Sequence, residues 1–178
     1  MAFPLPFGYD YAAAGVSGAI ADINTAKVDT IVLTDSNGTY SGRLMLEMTV
    51  AFPQNGRRIG QRVRTAGVRR FAGIVVYDAG KPGDPDLPEY QNGEPVPVCR
   101  SGRQWVYCEN FAVAALSVDP ALFFARDTGA LAGQLRYGDD DGATCTVIPS
   151  TTIRVLDSRS LAGGAALLLV EHDFRIAG

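Results

Sequence analysis

Short apolar runs, alternating or continuous, recur along the chain. Gly, Pro, Asn or Asp interrupts them every few positions, and this pattern predicts strands rather than helices. Asp29–Thr34 is β-branched and ends at the turn-forming Asp35-Ser36-Asn37-Gly38. Thr39–Val50 alternates, with Leu44, Leu46 and Met48 on one side and Arg43, Met45 and Glu47 on the other, until Pro53–Gly56 breaks it. Phe71–Tyr77 reads as a buried strand. Tyr90–Cys108 reads as a β-hairpin turning at Ser101-Gly102, which sets Val98 opposite Trp105 and Val96 opposite Tyr107. Further strands are expected at Phe111–Leu116, Leu122–Arg126, Ala130–Tyr137, Cys145–Ile148, Thr151–Leu156 and Ala165–Ile176. The last contains Leu167–Val170, a continuous run typical of a strand covered on both faces. Gly163-Gly164 before it permits a tight bend.

Roughly nine or ten short strands without a long helix predict an all-β fold, a barrel or sandwich of short antiparallel strands. Residues 23–178 would form this domain and residues 1–22 an irregular N-terminal arm, since Pro4, Pro6 and three glycines oppose a long regular element there. Ala12–Ala21 is compatible with a short helical turn, which Gly15 and Gly18 oppose.

A length of 178 residues suits one compact domain, and a 47% apolar content supplies its core. No run of eighteen apolar residues marks a membrane span. The first twenty residues contain no Lys or Arg and are interrupted by proline, a poor secretory signal. A net charge of −3 selects no partner by itself. In the hairpin register Cys99 and Cys108 stand about four ladder steps apart, beyond the ~7 Å reach of a disulfide. Together with Cys145 they are expected to be buried free thiols of a protein made in a reducing cytoplasm. No Cys-x-x-Cys pair suggests zinc.

Charge is densest at 57–70, where six arginines fall in fourteen residues: Arg57, Arg58, Arg62, Arg64, Arg69 and Arg70. The bland reading is a solvated loop and strand face; the sharper one is a fixed contact with an acidic surface. Nucleic acid is disfavoured, because aromatics do not interleave with these arginines and the chain is acidic. Ala79–Glu89 is a loop rich in Pro, suited to presentation as a contact. The aromatics Phe3, Phe7, Tyr9 and Tyr11 either pack on their own domain or anchor the arm to a neighbouring subunit. Gly138–Gly142 is acidic but lacks EF-hand spacing. His172, the one histidine, is flanked by Glu171 and Asp173, and no Gly-x-Ser-x-Gly elbow or phosphate loop accompanies it. It reads as a structural histidine; no catalytic residue, metal or cofactor is expected.

Several segments, taken in order, resemble the structural cement (capsid decoration) proteins of tailed phages. They are Gly18-Ala-Ile-Ala-Asp22, Arg70-Phe-Ala-Gly-Ile74, Tyr90-x-x-Gly93-x-x-Val96-x-Val98 leading to Gly102-x-x-Trp105-Val106, and the Gly-led apolar strand Gly163–Val170. Residues 35–66, with the arginine cluster, match poorly. The resemblance implies a non-enzymatic virion protein on the capsid exterior, made in the bacterial host cytoplasm. Its partner would be the major capsid protein, it would bridge capsomers as a homo-oligomer (dimer or trimer), and it would need no cofactor, nucleic acid or membrane. On this reading Phe3, Phe7, Tyr9, Tyr11, Arg57, Arg58, Arg62 and Arg64 are the contact candidates. The rival readings are a β-rich carbohydrate- or receptor-binding module of a phage tail, with Trp105 or tyrosines as an exposed platform, and a β-rich hydrolase using His172.

Overall fold

A computed structural model describes residues 16–47, 58–62, 70–78, 80–81, 89–111, 123–126, 131–138, 145–148 and 152–174. These form ten strands: β1 (Ile20–Leu33), β2 (Leu44–Glu47), β3 (Ile59–Arg62), β4 (Arg70–Val75), β5 (Pro95–Glu109), β6 (Phe123–Arg126), β7 (Leu135–Tyr137), β8 (Cys145–Ile148), β9 (Ile153–Ser160) and β10 (Ala166–Asp173). The fold is all-β, and a single 3-10 turn at Ala162–Gly164 is the helical element among the described residues. Most pairs are antiparallel; β1–β3 and β5–β7 are parallel.

β5 is the spine. It runs through Ser101-Gly102 without turning, so the expected hairpin is replaced by one strand of fifteen residues. Gly102 has φ +141°, and a Cβ there would lie 2.8 Å from the Ala26 Cα. The glycine therefore admits close approach of β1, whose register against β5 shifts between Asp22 and Lys27. A glycine after serine signals a turn and a close crossing equally well. The hairpin partners are replaced accordingly. Val98 pairs with Asp29 and Val75, while Trp105 and Tyr107 pair with Leu169 and Leu167. Cys99 and Cys108 are buried free thiols. They sit on one extended strand, roughly 30 Å apart at about 3.3 Å per residue. The side chain of Cys145 lies outside the described residues.

Along its first half β5 lies between β1 and β4, and the pairings close on themselves: β1–β3, β3–β2, β2–β4, β4–β5, β5–β1. Inside this ring of five strands pack Ile31, Leu33, Met45, Ala72, Val75, Tyr90, Val96 and Val98. Along its second half β5 takes β10 and then β7 as neighbours, and β9, β6 and β8 extend the sheet outward. A second core gathers there from Val106, Phe111, Phe123, Leu135, Ile153, Leu168 and Phe174 among others. β2 and β4 are the wall between the two. Leu44, Leu46, Phe71 and Ile74 face the second core, while Met45, Ala72 and Val75 face the ring. The expected alternation at 44–47 is therefore real, with a core on each side. β10 is covered on both faces, as its continuous apolar run predicts.

β3 was not foreseen. It lies within the arginine-rich segment, and its Gln61 and Arg62 are buried polar residues. Gly60 leaves no room for a side chain, since a Cβ would come 2.6 Å from Ile31 Cγ2.

Candidate interaction surface

In a strand, alternate residues share a face, and that rule locates a charged layer at one mouth of the ring. Ile31 and Leu33 point inward, so Asp29 does too; Met45 carries Glu47, Ala72 carries Arg70, and Val96 and Val98 carry Arg100. Gly60 faces Ile31, which places Arg58, two residues earlier, in the same phase. Every ring strand thus contributes, at or next to its end of the apolar layer, one charged residue.

These five residues bond to one another. Arg58 Nε donates to Glu47 Oε1 at 2.6 Å, and its two Nη groups donate to Glu47 Oε2 and to Asp29 Oδ2. Arg70 Nε donates to Glu47 Oε2 at 3.0 Å, and Arg100 Nη2 reaches the same oxygen at 3.3 Å. Arg100 Nε lies 3.2 Å from Asp29 Oδ2. The hydrogen bonds from Arg58 hold the Glu47 carboxyl below its ordinary range, against an opposing effect of burial. The same bonds raise the Arg58 guanidinium. Three guanidiniums face two carboxylates, and the Arg70 side chain remains 50% exposed.

The contact candidates are distributed unevenly. Arg58 belongs to this mouth. Arg62 lies at the far end of β3, buried, with Nε 3.3 Å from Asp35 Oδ2. The structure therefore separates two arginines that the sequence lists together. Phe3, Phe7, Tyr9, Tyr11, Arg57 and Arg64 lie outside the described residues, as does most of the Pro-rich loop. Asp29, Glu47 and Arg100 were not singled out from sequence. The signal that could have found them is a charged residue in inward phase at the end of an apolar alternation, repeated in several strands.

The chain enters the described structure at a well-fastened point. Gly18 N donates to Trp105 O at 2.7 Å, Trp105 N to Ala19 O at 2.9 Å, and Tyr107 N to Ser17 Oγ at 3.1 Å. The fully buried Gln104 donates through Nε2 to Gly18 O at 2.8 Å. On its other side Gln104 Oε1 lies 3.2 Å from His172 Nε2. An amide oxygen only accepts, so the imidazole carries its proton on Nε2. Burial pushes His172 down to about 4, partly opposed by the Arg100 backbone and the Asp173 charge. His172 is a structural histidine, as expected. Glu171 beside it points away to pair with Arg103 and Arg154. Trp105 is 3% exposed, with the Arg159 guanidinium 5.2 Å from its ring centroid.

A family model described as Structural cement protein (E217 gp24/Pam3 gp6) matches residues 6–171. The chain belongs to the structural cement protein family of phages. Among solved structures, a chain from the capsid of Myoviridae phage XM1 is similar, with a TM-score of 0.61, 16% identity and coverage of 89% of each chain. At that identity the likeness shows a shared fold. No curated protein matches. Membership makes this cement protein a virion structural component associated with the capsid. Within it, the mouth of the ring presents three guanidiniums and two carboxylates at one end of the β1–β5 ring.

Proposed function

We propose that this cement protein binds the outer surface of the mature head, contacts the major capsid protein and bridges neighbouring capsomers as a dimer or trimer. The family match over residues 6–171 carries the proposal. It is made in the bacterial host cytoplasm, a setting that suits the buried free thiols of Cys99 and Cys108. Their burial raises both pKa values, Cys99 to about 11, so neither is a reactive thiolate.

To act at the right stage, the protein must bind the expanded lattice better than the precursor shell. A modest interface per copy suffices, because many symmetric copies act together. The N-terminal residues 1–22 are the proposed arm, with Phe3, Phe7, Tyr9 and Tyr11 as its anchors; Arg57, Arg58 and Arg64 are the proposed cationic contacts, and Arg62, buried against Asp35, is not. The hydrogen bonds of Ser17–Ala19 to β5 give such an arm a rigid base. The rival tail-module reading loses Trp105 as a platform, because that ring is buried.

Deletion of residues 1–11 tests the arm. The variant should keep a wild-type thermal transition and lose occupancy on purified heads in a co-sedimentation assay. Occupancy equal to wild type would remove the arm from the interface.

A further inference from the structure

We infer that the charged mouth of the five-strand ring docks a carboxylate-bearing protein surface. Three observations meet there. First, among the described residues the charges do not cancel: Arg58, Arg70 and Arg100 face Asp29 and Glu47. A guanidinium has more N–H donors than a carboxylate has lone-pair sites, so donors remain for a further acceptor. Second, the surplus is reachable. Glu47 is 11% exposed and enclosed by its partners, whereas the Arg70 side chain that covers it is 50% exposed. Third, the sequence next to the mouth is basic: Arg57 and Arg69 each adjoin a mouth arginine, and residues 48–70 contain no Asp or Glu.

The acceptor class follows from the same geometry. The mouth already seats carboxylates in forked guanidinium contacts, as with Arg58 on both oxygens of Glu47. Its excess is one positive charge among the described residues of a chain whose net charge is −3. Nucleic-acid binding draws instead on many phosphate contacts along a basic stripe. Arg-rich contacts with an acidic protein surface need only local complementarity, and they set orientation and on-rate more than affinity. The inference rests on the capsid reading for the identity of the partner, not for the chemistry of the mouth.

The test titrates the isotope-labelled full chain with a decaglutamate peptide at low salt and follows arginine Nε–Hε resonances by NMR. The signals of Arg58, Arg70 and Arg100 should shift, and added salt should reverse the shift. Arg70→Ala should weaken binding by about threefold. Glu47→Gln, which removes an internal anion, should tighten it by a similar factor. A purely structural ion network predicts no change in either direction. Thermal transitions of both variants establish that they are folded; Arg70→Lys, which keeps the charge, covers the case in which Arg70→Ala unfolds. Shifts confined to other parts of the chain would overturn the inference, as would tighter binding of a decathymidylate than of decaglutamate. Purified heads separate this inference from the capsid reading. If wild type and Arg70→Ala attach equally at every salt concentration, the dock fails and the capsid reading stands. If wild type does not attach yet the mouth still binds decaglutamate, the capsid reading fails and the dock stands.

Discussion

The two cores of this chain share walls but are closed in different ways. The second core is sealed by more apolar surface: Phe71 packs on Phe174 at 5.7 Å between centroids, and Tyr137 packs edge-on against Phe111 and Phe123. The ring is small, and at its mouth the inward phase of its strands passes from apolar side chains to Asp29, Glu47, Arg58, Arg70 and Arg100. An aromatic closure gains stability and presents nothing specific to a partner. An ionic closure gains less, because charges must be desolvated to pair, but it leaves directional groups at the surface. The half with the larger core is closed by aromatic packing, and on the proposed reading the ring carries the contact.

The sharpest way to break both halves at once is at their shared walls. Gly73 of β4 has φ +141°, and a Cβ would lie 2.1 Å from Cys99 O. Gly73→Val should therefore prevent folding, a loss above about 4 kcal/mol, seen as insoluble expression or absent β signal in far-UV circular dichroism. Loss of one buried ring on β5, outside both core clusters, should cost less. Trp105→Ala should cost about 3–5 kcal/mol in urea unfolding. Trp105→Phe keeps the buried ring and drops an indole N–H that has no partner among the described residues, so it should cost within about 1 kcal/mol. A large loss for the phenylalanine variant would mean that the N–H, and not the ring, matters.

Strand existence was legible along much of the chain because period-two alternation survives wherever one face is buried. β8 was found at its full extent, β6, β7 and β10 lie within their expected ranges, and β4 overlaps its expected range but starts one residue earlier, at Arg70. Connectivity was less legible. Ser101-Gly102 carries the local chemistry of a turn, and only the approach of Ala26 from a distant strand decides that it is a crossing. β3 escaped because Gly60, Gln61 and Arg62 are buried by pairing and close approach rather than by apolar character. The mouth was hidden for a related reason. Its residues come from five separate segments, and their common phase shows only when the strands are placed side by side.

Acid should loosen the fastening between the halves. His172 titrates near 6.5 when unfolded and about 4 when folded, so the unfolded chain binds the proton first as pH falls. Stability from this group is complete above about 6.5 and is lost progressively down to about 4, on the order of 3 kcal/mol. His172→Gln should flatten the dependence of urea stability on pH across that window. An unchanged slope would assign it to other groups. Glu47 works lower on the scale: its depressed pKa gives stability that is present above about 4.5 and lost as pH falls through its folded value.

The smallest effects compare two ion clusters directly. Glu47→Gln leaves three guanidiniums around a neutral amide at a largely enclosed site, and should cost about 1–3 kcal/mol. Arg154 also meets a carboxylate, Glu171, at 2.7 Å, closer than Arg70 meets Glu47. Its side chain, however, is 69% exposed, and water competes for every bond it makes. Arg154→Ala should therefore change stability by no more than about 0.5 kcal/mol. Urea unfolding of the two variants under one condition decides whether enclosure or distance sets the worth of an ion pair here. Equal losses would show that the mouth is an ordinary surface network, and would remove the distinction between an ionic closure and a solvated pair.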